Sequence, residues 1–265
     1  MVGFVGGNGA GKTTTMRMLM GVLEPDSGEV RFGGKPITAQ QRARIGYMPE
    51  ERGLYPKQNL ISQLTYIGEL KGLSRNDAKQ SAQEHLERFG LGERVTELLE
   101  SLSLGNQQRV QIIAAVIADP IALILDEPFS GLDPEAIDEM AGVLRELTLR
   151  DVPVLFSSHQ LDLVDRLCDD IVVLSKGNVV AKGSAEELRS QGPVRFRLMS
   201  PADPRWIDDH TGARIVEQID RGVIVELERE ALANSFLKSA MASGAVEEFA
   251  RLKPTLSEIY QEVTL

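Results

Sequence analysis

The sequence predicts an α/β fold, with a parallel-sheet core over residues 1–192 and a small accessory α+β unit over residues 193–265. Three observations lead there. A short apolar run, Met1 to Val5, ends at a glycine-rich loop and is followed by Met16, Leu19, Met20 and Leu23 at helical spacing, which together make a strand–loop–helix unit. A second apolar run, Ile121 to Leu125, opens after the turn pair Asp119-Pro120 and closes at Asp126-Glu127-Pro128, as a buried parallel strand does. Past Gln191-Gly192-Pro193 the pattern turns to strand-like alternation with a hairpin signal.

The loop from Gly6 to Thr13 reads GGNGAGKT. Its small residues, Gly6, Gly7, Asn8, Gly9, Ala10 and Gly11, let several backbone N–H groups converge on one anion. Lys12 is placed to reach the β- and γ-phosphates of a nucleotide, and the Thr13 hydroxyl to ligate Mg²⁺. The N-terminus of the helix that follows adds partial positive charge beneath the phosphates. Thr14 is grouped with the nucleotide-binding loop, although by residue type Thr14 and Thr15 read as ordinary helix positions. Met16 and Met20 read as core filling.

Composition narrows the function classes. The 265 residues carry a net charge of −10 and a pI near 5.0, which argues against nucleic acid as the main partner. No apolar run is long enough to span a bilayer. The first residues lack the charged, apolar and cleavage regions of a secretory signal, so the expectation is a protein that is not secreted. The single cysteine, Cys168, follows Leu163, Val164 and Leu167. It reads as a buried structural thiol in a cytoplasmic setting.

Residues 57–118 read as mainly helical, from Leu60, Leu64, Ile67 and Leu70 through to Ile117. The strand Ile121–Leu125 then delivers two carboxylates at its C-terminal end, where open α/β sheets bind ligands. Asp126 is suited to hold Mg²⁺, usually through water, and Glu127 to polarise an attacking water as general base. Ser130-Gly-Leu-Asp133 makes a turn into a helix with Pro134 at its first position, and Asp133 reads as the N-cap. Val154-Leu-Phe156 is another strand, and its end at Ser157-Ser158-His159 puts a histidine on the same rim as Asp126. His85 and His210 lie in polar surroundings and read as surface residues.

Leu102-Ser-Leu-Gly-Asn-Gln-Gln-Arg109 precedes an apolar helix pattern through Val110, Ile113, Ala114 and Ile117. With this segment the chain resembles the nucleotide-binding subunit of an ABC transporter, whose signature usually reads LSGGQ followed by QR. The order agrees too: phosphate loop, signature, apolar strand with Asp-Glu, Ser-Gly-Leu-Asp turn, strand-end histidine. The resemblance covers residues 1–190. It implies a P-loop NTPase fold, with a RecA-like core from residues 1–56 and 119–190 and a helical signature subdomain over about 57–118.

The resemblance also implies a mechanism. Two ATP molecules, with Mg²⁺, are sandwiched head to tail between two nucleotide-binding subunits, here a homodimer. The signature residues Ser103, Leu104, Gly105, Asn106 and Gln107 of one subunit close on the terminal phosphate held by the other. Leu104 stands where the family has its first glycine, and Asn106 where it has glutamine. Asp133 gains a role in communication across the dimer, and His159 joins Glu127 as a catalytic residue. Glu50, in the stretch Tyr47-Met-Pro-Glu50-Glu51-Arg52-Gly53-Leu54-Tyr55, falls where the family has a glutamine that contacts Mg²⁺ and the attacking water. The same stretch is similar to that of sodium-efflux and drug-resistance ATPases. The implied function is ATP hydrolysis that powers a membrane transporter, with an integral membrane permease as partner and the cytoplasmic face of the membrane as location. Thr96 to Ser101 is the segment that touches the permease in this family. The alternatives are a soluble ABC ATPase without a transport role and a truncated nucleotide-binding fragment of little activity.

Members of the family carry strands before the phosphate loop and an aromatic residue there that stacks on adenine. This chain begins within the strand that feeds the loop, so a truncated chain or a start assigned too late is expected. The sheet is then expected to lose its antiparallel edge and to leave apolar surface uncovered. Tyr47 and Tyr55 belong to the Glu50 segment and are not substitutes for the aromatic residue. Beyond residue 193, Val194–Met199 reads as a strand and Arg214–Glu228 as two strands around Asp220-Arg221-Gly222. A helix follows, patterned by Ala231, Phe236, Leu237 and Met241. Trp206, Asp208, Asp209 and His210 read as a solvated turn rather than a metal site.

Overall fold

Val2–Val5 form β1, the strand from which the first unit is built. Its apolar side chains are covered on both faces, as parallel strands require. The chain then runs through α1 (Lys12–Met20), a short hairpin of β2 (Arg31–Phe32) and β3 (Lys35–Pro36), α2 (Ala39–Ala43) and β4 (Ile45–Met48). The helical arm follows as α3 (Leu60–Leu70), α4 (Arg75–Arg88) and α5 (Leu104–Val116). The chain returns to the sheet with β5 (Ala122–Leu125), α6 (Pro134–Thr148), β6 (Val154–Ser158), α7 (Leu161–Leu167), β7 (Asp170–Ser175) and β8 (Asn178–Gly183). This is a computed structural model, and it describes residues 1–51, 53–207 and 212–264. Arg52, Asp208, Asp209, His210, Thr211 and Leu265 lie outside the described residues, and with them most of the turn after Trp206.

The sheet order is β4-β5-β6-β1-β7-β8. Five strands are parallel and in step, with Met48 paired to Leu125, Leu125 to Phe156, and Gly3 to both Phe156 and Ile171. Their C-terminal ends therefore share one rim, and every loop that leaves that rim opens on the same space. β8 runs antiparallel to β7 at the edge, so the sheet does have an antiparallel edge strand, against expectation. Val179 and Val180 on β8 are exposed. A register shift between Val173 and Leu174 makes Val180 the extra residue of a bulge, a feature that keeps edge strands from pairing onward.

The helical arm forms because each helix has a cap and an apolar stripe. The side chains of Asn59 and Ser74 accept hydrogen bonds at the starts of α3 and α4. Leu60, Leu64, Ala78, Ala82, Leu86, Val110 and Ile113 are buried. His85, expected at the surface, is half-buried on α4, and desolvation by burial pushes its pKa down. Cys168 ends α7, with its Sγ facing Gly3. Burial pushes the thiol up to about 12. Among the described residues no helix is long and apolar enough to cross a membrane.

The second compact unit begins at Ala185. It comprises α8 (Ala185–Gln191), β9 (Val194–Met199), β10 (Ala213–Ile219), β11 (Gly222–Leu227), α9 (Ala233–Ser243), β12 (Glu248–Leu252) and α10 (Leu256–Thr264). Helix α8 packs with α10, which places the division ahead of the change in pattern at Gly192. The sheet is antiparallel in the order β10-β11-β9-β12, with the Asp220-Arg221 turn joining β10 to β11. Phe196, Leu198, Val223, Val225 and Leu227 turn one face toward Phe236 and Ala240 of α9. Phe196 stacks on Phe249 with ring centres 4.6 Å apart. Met241, read as part of this helix's apolar pattern, is 65% exposed. The contact is made at i and i+4, by Phe236 and Ala240.

Candidate nucleotide site

The turn after β1 fixes the loop. A Cβ on Gly6 would lie 2.7 Å from the Leu174 carbonyl oxygen and 2.9 Å from Ala10 Cβ, so only glycine fits where the loop leaves the sheet. Gly7, Asn8 and Gly9 are exposed above it, and the Ala10 N–H closes the turn on the Gly7 carbonyl at 3.1 Å. Lys12 begins α1. Its ammonium donates to the Gly6 carbonyl at 2.7 Å and lies 3.9 Å from Glu127 Oε1, with only 9% of the side chain exposed.

Loop residues 7–14 line a cleft of about 510 Å³ together with Glu50, Asp126, Glu127, Ser130 and His159. The parallel register brings these together, because β1, β4, β5 and β6 end at one rim. Glu50 comes from the segment after β4, Asp126 and Glu127 from the end of β5, and His159 from the end of β6. Neither Tyr47 nor Tyr55 is among the lining residues. Tyr47 borders Asp126 instead. Burial and the Asp126 charge raise its pKa, against a hydrogen bond and charge from Arg17 that lower it.

Asp126 is 1% exposed. Its Oδ1 accepts from Ser157 Oγ at 2.6 Å, whereas Oδ2 is buried without a hydrogen-bond partner. An orphaned carboxylate oxygen is costly to bury, and one on a residue that lines the cleft with Thr13 suits a cation or a cation's hydration water. Among the described residues no three His, Cys, Asp or Glu side chains are grouped to hold a metal ion by themselves.

Glu127 has φ of +50°, in the left-handed region, and precedes a proline. Both conditions strain an ordinary residue, at a cost of about 1–3 kcal/mol. The strained turn takes the side chain out of the strand's alternation. Its Oε2 lies 3.0 Å from His159 Nδ1, and the carboxylate is 12% exposed against 56% for the imidazole. A shielded carboxylate, a histidine and a lysine thus meet above the glycine-rich loop, an arrangement suited to attack by water on a bound phosphoryl group.

The remaining candidates lie outside the cleft. Ser103 caps α5, with its Oγ accepting from the Asn106 N–H at 3.4 Å. Leu104 is 40% exposed, and its Cδ2 would lie 2.9 Å from a Cβ on Gly131. Gly105 faces Leu132 in the same turn, and Gln107 Nε2 donates to the Leu102 carbonyl. Asp133 Oδ1 accepts from the Ala136 N–H at 2.8 Å, as an N-cap. Gly6 supports the loop from below. In the sequence Ser130 and Ser157 stand out only as a turn and a strand-end residue, and Gln108 only as part of the segment Leu102–Arg109. The signal for Ser157 is its place at the end of the strand Val154–Phe156, on the rim that carries Asp126. None marked Gln108 off from its neighbours.

The chain is similar to known proteins along nearly its whole length. The profile of the ABC transporter family matches residues 1–130. That of the DrrA1-3-like ATP-binding protein C-terminal domain matches residues 183–264. The uncharacterized ABC transporter ATP-binding protein YhaQ of Bacillus subtilis (strain 168) is 37% identical over 99% of this chain and 88% of its own length. The daunorubicin/doxorubicin resistance ATP-binding protein DrrA of Streptomyces peucetius is 37% identical over 74% of this chain and 61% of its own. A solved structure described as the ATP-binding subunit of an ABC transporter superposes with a TM-score of 0.65 and 34% identity, covering 72% of this chain and 81% of that one.

Proposed function

The chain belongs to the ABC transporter family as an ATP-binding, ATP-hydrolysing subunit, and on that premise we propose that it works as one half of a homodimer powering export through a membrane permease. The observation that carries this reading is the meeting of Lys12, Glu127 and His159 above the glycine-rich loop. Loop N–H groups and Lys12 hold the β- and γ-phosphates. Glu127 takes a proton from the attacking water as the water's oxygen bonds to the γ-phosphorus, and the bond to the β–γ bridging oxygen breaks to release ADP. His159 holds the Glu127 carboxylate in place from the exposed side. Thr13, Asp126 and Glu50 are the residues to hold Mg²⁺, which when bound neutralises charge on the phosphates. The unpartnered Asp126 Oδ2 supports that assignment.

Ser103 and Gly105, at the start of α5, are positioned by sequence and exposure to meet the terminal phosphate of the facing subunit. Membrane attachment through a permease is supported by an open groove on the helical arm. Tyr55, Tyr66 and Leu98 are exposed there beside Lys57, next to the Thr96–Ser101 segment. Export of a drug-like or ionic substrate is supported by the likeness to the drug-resistance protein and to its C-terminal domain. The substitution Glu127→Gln tests the reading. It should abolish turnover while ATP still drives dimerisation, and hydrolysis at the wild-type rate would remove the general base.

A further inference from the structure

We propose that Gln108 and Ser157 are positioning residues that hold Glu127 in its strained, water-activating orientation. The inference rests on Glu127 acting as the general base. Glu127 cannot keep a left-handed backbone ahead of Pro128 unless its surroundings fix it, and two buried side chains on different elements do so. From β6, Ser157 Oγ accepts from the Glu127 N–H at 2.8 Å and donates to Asp126 Oδ1 at 2.6 Å. From α5, Gln108 Nε2 donates to the Pro128 carbonyl at 2.9 Å and to the Glu127 carbonyl at 3.3 Å. Ser157 is fully buried and Gln108 is 7% exposed.

The division of labour follows from this geometry. The Glu127 carbonyl also receives the Ser130 N–H at 3.2 Å, a bond that any tight turn makes. The N–H of Glu127 and the carbonyl of Pro128 are the ends of the strained segment, and each is held by a side chain. Removing Ser157 frees the start of the segment and also releases the Asp126 carboxylate. Removing Gln108 frees its end and leaves Asp126 untouched. Neither residue lines the cleft, so neither touches the nucleotide. Their loss should misplace the carboxylate that activates water without loosening the grip of the loop on phosphate.

The test is steady-state ATP hydrolysis by the full chain carrying Gln108→Met or Ser157→Ala, with equilibrium binding of MgATP and thermal unfolding measured alongside. Each folded variant should lose kcat by about 10–100-fold, the effect of misplacing a catalytic group by an ångström or less. The MgATP affinity of Gln108→Met, which leaves Asp126 untouched, should stay within about twofold of wild type, and the residual rate of Glu127→Gln should hardly change when Gln108→Met is added. If one variant fails to fold, the other decides. A kcat close to wild type in a folded variant, or in Gln108→Met a loss of MgATP binding that matches the loss of rate or an equal loss in the Glu127→Gln background, would overturn the proposal. Wild-type hydrolysis by Glu127→Gln alone would instead overturn the general-base reading, and the positioning role with it.

Discussion

The Nδ1 atom of His159 lies 3.0 Å from Glu127 Oε2, across the adjacent ends of β6 and β5. The pairing joins an exposed ring to a shielded carboxylate, and it places the histidine between solvent and the point where water would attack. His159→Ala should therefore cut ATP turnover by roughly 10–100-fold, within the range of a lost catalytic contact, while MgATP still binds. An ATPase assay beside a binding titration measures both. An unimpaired rate would leave the histidine without a catalytic role.

The signature tip and the turn after Glu127 are packed together. Gly131 has φ of +74°, and a Cβ there would come within 2.9 Å of Leu104 Cδ2. Gly131→Ala should destabilise the protein by roughly 1–2 kcal/mol, part of it backbone strain and part contact with leucine. Adding Leu104→Gly relieves the contact part alone. Denaturant unfolding of the two single variants and the double variant should show this partial recovery as a coupling between the sites. Strict additivity would mean that Leu104 does not press on the turn.

Cys168 holds its proton far above the ordinary thiol value of 9.0, at about 12, chiefly through burial. The folded chain should react with a thiol reagent at pH 8 about a thousandfold more slowly than the chain unfolded in urea, following the thiolate fraction. The linkage sign is that of an acid raised by folding. Stability from the buried thiol is complete below pH 9 and falls as the pH climbs toward 12. Cys168→Ala should flatten that alkaline slope, which a pH series of thermal unfolding curves measures. Equal labelling of folded and unfolded chains would contradict the burial.

Much of this architecture was legible because it is written in local pattern. The strand before Gly6, the carboxylates after Leu125 and the histidine after Ser158 each follow an apolar run, and strand ends of a parallel sheet share a rim. The hairpin at Asp220-Arg221 was equally local. What escaped were facts of three-dimensional pairing. Gln108 is one glutamine among several in its segment, and only the packing of α5 against the turn at Glu127 sets it apart. The left-handed backbone of Glu127 has no local cause, since Glu-Pro by itself favours an extended chain. Likewise, the half-burial of His85 depends on what covers α4, and the antiparallel edge formed by β8 on which strand the chain returns beside.

Lys12 bears most directly on whether the loop from Gly6 to Thr13 grips the phosphates of ATP. Its ammonium is the cation aimed into the loop, 2.7 Å from the Gly6 carbonyl. Equilibrium binding of MgATP to the wild-type chain and to Lys12→Ala is the decisive measurement. The wild-type chain should retain MgATP, and Lys12→Ala should lose at least about a hundredfold in affinity, as expected when a buried charged partner is removed. Equal affinity in the two proteins would contradict that grip.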